Sequence, residues 1–369
     1  MYFIYCDELG NKIINIKIKQ LGLKIYSLTE NQRDYIKQEY ESIYKKRRNI
    51  SESLVNSNDG TILFDYKKRR ELEKDASLTN IINMIRQEKI RPTFHKDIDK
   101  FLSHILILEV DSKILGKYID CHDFRIFVHQ FIDFHYVFDT TINNKKRTND
   151  ISIPYQMKKS YREKNNPEFK YLSTEIIIKY FFDFYNENSY GCFYANKSFE
   201  HYLLRISKFI NSISSEELFK FIEIMEIFFS NARLSQNNIL NDTLIIESLL
   251  VKKESNNIEK EFVLKTGIIY KDSKLKKYYS NEDLSALLHY LYDMRSSIIH
   301  GSMEKIFDCY NKFSQKIKSI PCSKFENVSK MQKKLLILKF TERMSYDFVK
   351  IVLIYWISNN DKISFLRNN

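Results

Sequence analysis

Apolar residues recur at three- and four-residue steps through most of the second half of the chain and alternate with polar ones mainly near its start. The alternation over residues 2–5 and 12–18, separated by Asp7-Glu8-Leu9-Gly10, predicts a small hairpin or sheet edge. Thr29 with Gln32 three residues on is a capping-box pattern for a polar helix running to about residue 48. Another strand is expected at 61–66, then helices near 78–87 and 96–107. The stretch 143–167 turns polar and basic and holds two prolines, as a linker would. Beyond it, helical spacing returns at 176–185, 201–210 and 218–229, the last with a capping box at Ser214 and Glu217. The apolar run 348–358, interrupted by Lys350, is far short of the ~20 residues a bilayer requires, so it reads as a buried helix. The pattern predicts a mainly α protein: a smaller mixed α+β domain over residues 1–165, then an entirely helical one over 166–369.

Composition supports order and helix, with 43% hydrophobic residues against only 7 glycines and 4 prolines in 369 positions. The formal charge of +12 favours encounter with polyanions such as RNA, DNA or an anionic membrane. A nucleotide bias that raises Lys, Asn, Ile, Tyr and Phe together explains the same charge without a ligand. Two compact clusters, Lys45-Lys46-Arg47-Arg48 and Lys67-Lys68-Arg69-Arg70, have the density to track a nucleic-acid backbone, although solvated surface charge is the plainer explanation.

The five cysteines are widely spaced and form no Cys-x-x-Cys pair, and the first residues lack a basic segment followed by an apolar one. A reduced, cytoplasmic protein without membrane attachment is expected. Cys121, His122, Asp123, His129 and His135 are metal-capable but match no ligand spacing, so no metal or cofactor is assigned. Glycine-rich phosphate loops and the nucleophile motif G-x-S-x-G are absent from the sequence.

The chemistry concentrates on one segment. Ser280 caps a predicted helix with Glu282 and Asp283 in its first turn and an apolar face of Leu284, Leu287, Leu288, Leu291, Met294, Ile298 and Ile299. Its end reads Leu291-Tyr292-Asp293-Met294-Arg295-Ser296-Ser297-Ile298-Ile299-His300-Gly301. An arginine offers phosphate a planar, permanently charged fork, and a histidine exchanges protons near neutral pH. RNA carries its own nucleophile, the 2′-hydroxyl, so base, acid and charge stabilisation suffice for cleavage. Five residues turn an ideal helix through about 140°, so Arg295 and His300 do not share a face of a straight helix. Either the arginine reaches round, the helix distorts, or a second subunit completes the site. Gly301 is placed to end the helix at C′, leaving His300 at the negative pole.

The R-x-x-x-x-H string in this context resembles the signature helix of Apea-like HEPN domains. Ile245-Ile246-Glu247-Ser248-Leu249-Leu250 is similar to the helix of that family that contributes an acidic residue, residues 259–270 to the next helix, and Arg233 to a basic position before them. The resemblance covers about residues 200–310. It implies a helical bundle that homodimerises with two motif helices at the interface. It also implies a metal-independent endoribonuclease acting on RNA, tRNA among the candidates, in which Arg295 and His300 are catalytic and Glu247 and Arg233 support them; Asp293 and Ser296 either orient that pair or simply face solvent. Such domains are common in bacterial anti-phage, abortive-infection and toxin systems. Others of the family are non-catalytic modules for binding or dimerisation.

Overall fold

The computed structural model describes residues 2–6, 14–34, 37–38, 102–103, 105–138, 193–195, 198–230, 235–252, 254–273, 279–301, 303–317 and 328–368. The protein is mainly α with a small α+β part at its N-terminal end. Contacts divide it into two compact units, one of Met1–Lys117 with Ser152–Lys197 and the other of Tyr118–Ile151 with Ser198–Asn369.

The first unit holds strands β1 (Tyr2–Cys6), β2 (Asn15–Ile18), β3 (Leu23–Ser27), β4 (Ile105–Val110) and β5 (Phe193–Ala195) in one sheet of order β2-β3-β4-β1-β5. β1 and β2 do not form a hairpin with each other, because β1 pairs antiparallel with β4 and parallel with β5, and β2 is an edge strand of the sheet. The hairpin lies one element later, between β2 and β3, around Gly22. Residues 105–107, expected to be helical, belong to β4, whose Ile105, Leu106, Ile107 and Leu108 are all buried. An apolar run covered on both faces loses the alternation that marks a strand. β5 likewise interrupts the helical stretch expected from residue 166 onward. The Thr29/Gln32 capping box forms, each backbone N–H donating to the other side chain. The expected elements at 61–66, 78–87 and 176–185 and the 143–167 linker lie outside the described residues.

Gly22 occupies left-handed space at φ +63°, and an added Cβ would stand 2.8 Å from Ile114 Cβ and 2.9 Å from Asp111 Cβ. Gly22→Ala is therefore expected to destabilise the sheet unit by about 1–3 kcal/mol, read from the denaturant midpoint. Helix α1 (Ser112–Leu115) follows β4, capped by Asp111, whose side chain accepts from the Lys113 and Ile114 N–H groups.

The second unit contains α2 (Phe124–Asp133), α3 (Ser198–Ser212), α4 (Ser215–Phe229), α5 (Ser235–Leu250), α6 (Ile258–Asp272), α7 (Asn281–Ile299), α8 (Met303–Ser314), α9 (Lys330–Ser358) and α10 (Asn360–Asn368). Capping boxes at Ser214/Glu217 and Ser329/Gln332 start α4 and α9. α9, about 43 Å long by its residue count, is the axis against which α3, α5, α6, α8 and α10 pack. Between Phe348 and Ile357 only Ile354 escapes burial, and a helix apolar all round belongs inside a bundle. Its polar atoms are matched: Tyr290 and Thr341 share a 2.7 Å hydrogen bond, and Ser345 Oγ donates to Asp242 Oδ2 at 2.7 Å. Residues 118–138 join this unit because their aromatic rings fill the space between α3 and α4, so the division by contacts is not a single break near residue 165. No helix among the described residues is long and apolar enough to cross a membrane.

Candidate functional site

α7 forms as its sequence dictates. Ser280 accepts from the Asp283 N–H, and Leu284, Leu287, Leu288, Tyr290, Leu291, Met294 and Ile298 are buried along one side. The opposite side carries His289, Tyr292, Asp293, Ser296, Ile299 and His300, none of them buried. At ~100° per residue, His289, Ser296 and His300 fall within about 40° of one another around the axis.

The helix ends where glycine permits. His300 is the C-cap at φ −75°, its N–H donating to the Ser296 carbonyl at 3.1 Å. Gly301 follows at φ +72°, donating to the Ile298 carbonyl at 3.0 Å. A Cβ there would meet nothing within 4 Å, so the backbone conformation and not crowding selects glycine. His300 is exposed at the C-terminal end of α7.

Arg295 projects to the other side, toward α5. Its Nη2 lies 3.0 Å from Glu247 Oε2, with the side chains 24% and 13% exposed, and its guanidinium stands 5.6 Å from the Tyr292 ring centre. Tyr292 in turn packs on Phe262 of α6. Burial raises the Glu247 carboxyl above the usual glutamate range, and Arg295 opposes that rise. Among the described residues, Glu247 Oε1 is buried without a hydrogen-bond partner. A carboxyl that holds its proton more tightly folded than unfolded costs stability as pH climbs from the ordinary glutamate value through its raised value. Wild-type stability is therefore expected to fall relative to Glu247→Gln across that window. Denaturant midpoints of the two proteins at several pH values check the sign, and a rising difference would contradict it.

Asp293 Oδ2 holds Lys312 Nζ of α8 at 2.7 Å, and that bond raises the ammonium's proton affinity. Burial pushes the nearby Cys309 thiol up to about 12, which makes it a poor nucleophile. Ser296 is exposed on the same stripe as His300. No hydrogen bond or ion pair joins Arg295 to His300 among the described residues, in keeping with the angle between them. Arg233, Lys45, Lys46, Arg47, Arg48, Lys67, Lys68, Arg69 and Arg70 lie outside the described residues.

No family model, curated protein or solved structure matches the chain. The HEPN resemblance stands on the motif residues alone.

Sequence reasoning passed over His289, whose Nδ1 lies 2.7 Å from Glu259 Oε1 of α6. Its place eleven residues before His300 was the available signal, since that spacing returns to the same helical face. The histidines at 129 and 135 are both buried, and His135 Nδ1 donates to the Ile132 carbonyl at 2.6 Å within an aromatic cluster. They do not join Cys121 and His122, which are exposed.

Proposed function

We propose that this protein is an endoribonuclease of the HEPN type, cytoplasmic and homodimeric, cleaving RNA by attack of the 2′-hydroxyl on the adjacent phosphodiester. The observation that carries the reading is His300: an exposed imidazole at the negative pole of α7, on a stripe of accessible residues, five positions beyond a guanidinium already oriented by a carboxylate. In this reading His300 transfers the proton of the nucleophile or leaving group, and Arg295 holds the scissile phosphate. Glu247 fixes the guanidinium plane, while the angle of about 140° between Arg295 and His300 is bridged by a second motif helix across a two-fold axis. tRNA is one candidate substrate, and bacterial antiviral defence or a toxin system is the setting that fits such an activity.

The test incubates purified protein with tRNA and with total RNA, with and without a chelator. Fragments ending in 2′,3′-cyclic phosphate, formed equally with chelator present, are expected. Absence of any fragment would remove the reading.

A second reading draws on the Arg295–Glu247 ion pair itself, which occupies the guanidinium that phosphate would need. A non-catalytic HEPN module would use the same face to dimerise or to hold nucleic acid. RNA binding that survives His300→Ala, with no products from either protein, distinguishes it.

A further inference from the structure

The turn ahead of α2 gathers three chemically different donors. It closes through the Asp123 N–H, which donates to the Asp120 carbonyl at 2.9 Å, while the His122 N–H donates to Asp120 Oδ1 at 3.2 Å. These two bonds hold the Asp120 carboxylate over the turn. Cys121 Sγ lies 3.2 Å from His122 Nδ1, and Asp120 Oδ1 lies 3.6 Å from that nitrogen. All three donor atoms fall within 4.8 Å of one another, and all three residues are exposed. Cys121 is not in a disulfide.

Those separations can be compared with what a metal demands. Zinc binds sulfur at ~2.3 Å and nitrogen or oxygen at ~2.0–2.1 Å, so the edges of its tetrahedron are roughly 3.3–3.6 Å long. The Sγ–Nδ1 distance of 3.2 Å is a few tenths of an ångström shorter than the sulfur–nitrogen edge and the Nδ1–Oδ1 distance of 3.6 Å about as much longer than the nitrogen–oxygen edge, shifts that small rotations of exposed side chains supply. An ion pair between side chains 89% and 72% exposed is too weak to have selected this cluster for stability. We infer that Asp120, Cys121 and His122 form a surface site for one divalent transition-metal ion of the zinc class.

Thiolate and imidazole prefer such an ion to Mg²⁺ or Ca²⁺, which favour oxygen alone. On binding, the Cys121 thiol proton passes to solvent and a sulfur–metal bond forms. Thiolate and carboxylate then balance the two positive charges, with His122 neutral. The fourth position stays open to water or to a donor from another molecule. The ligands are consecutive residues, so a search for ligand-pair spacings passes over them. His129 and His135, which complete the histidine-rich segment in the sequence, are core residues instead.

The test titrates the full chain, kept reduced with a phosphine, with Co²⁺ alone. One equivalent is expected to give thiolate-to-cobalt charge-transfer absorption and tetrahedral visible bands, both removed by Zn²⁺. Cys121→Ser abolishes the charge-transfer band, and His122→Ala and Asp120→Asn each weaken binding at least about tenfold. Because the turn is exposed, the metal-free variants melt as the wild type does. Three results would each overturn the site: no charge-transfer band in the wild type, a band that persists in Cys121→Ser, or affinity unchanged in both His122→Ala and Asp120→Asn.

Discussion

His300→Ala is expected to lower single-turnover RNA cleavage by about 10²–10⁴-fold, the range that a positioned acid or base contributes, while shifting stability by no more than about 0.5 kcal/mol. The second half of that expectation gives the first its meaning. The imidazole is exposed, takes no side-chain hydrogen bond among the described residues, and sits on ordinary right-handed backbone that alanine also adopts. Lost activity would therefore report lost chemistry. Arg295 needs a different substitution, because Arg295→Ala would leave the largely buried Glu247 carboxylate without its counter-charge and unsettle the contact between α5 and α7. Arg295→Lys keeps the charge and removes the planar fork. Strong loss of cleavage in that variant, with folding retained, would place the guanidinium on the phosphate. Undiminished cleavage in both His300→Ala and Arg295→Lys would move the chemistry elsewhere on the protein.

What the chain disclosed on its own depended on how local each feature is. α7 was readable down to its caps, since Ser280, the leucine stripe over 284–291 and Gly301 act within one or two turns of themselves. The sheet was not, because β4 is an apolar run buried on both faces and its partner β1 lies about a hundred residues earlier in the chain. Nothing in the run Ile105-Leu106-Ile107-Leu108 separates strand from helix before its neighbours are known. The candidate site divides the same way. Glu247, Arg295 and His300 were picked out from a string, but the Glu247–Arg295 and Glu259–His289 pairs join different helices and follow from packing alone.

Phe134→Ala is expected to destabilise the helical unit by about 3–5 kcal/mol and to lower its melting temperature by roughly 6–20 °C. Phe134 is fully buried in the short 3-10 turn after α2, its ring 5.9–6.3 Å from those of Tyr202, Phe221, Phe228 and Phe229 on α3 and α4. Alanine would leave a cavity among four aromatic side chains whose helices are fixed by other contacts, so the space could close only in part. Trp356, the single tryptophan, reports on this unit: it lies on α9 with its ring 5.1 Å from Phe209 and 6.1 Å from Phe221. Its fluorescence transition should therefore shift with the substitution. If residues 118–138 instead stabilised only the sheet unit, the tryptophan transition would stay where it is while another probe moved. Tyr202 adds a second tie, its hydroxyl donating to the Phe131 carbonyl from α3. Tyr202→Phe should accordingly shift the same transition in the same direction by a smaller amount, about 1 kcal/mol, because it removes one buried hydrogen bond and opens no large cavity.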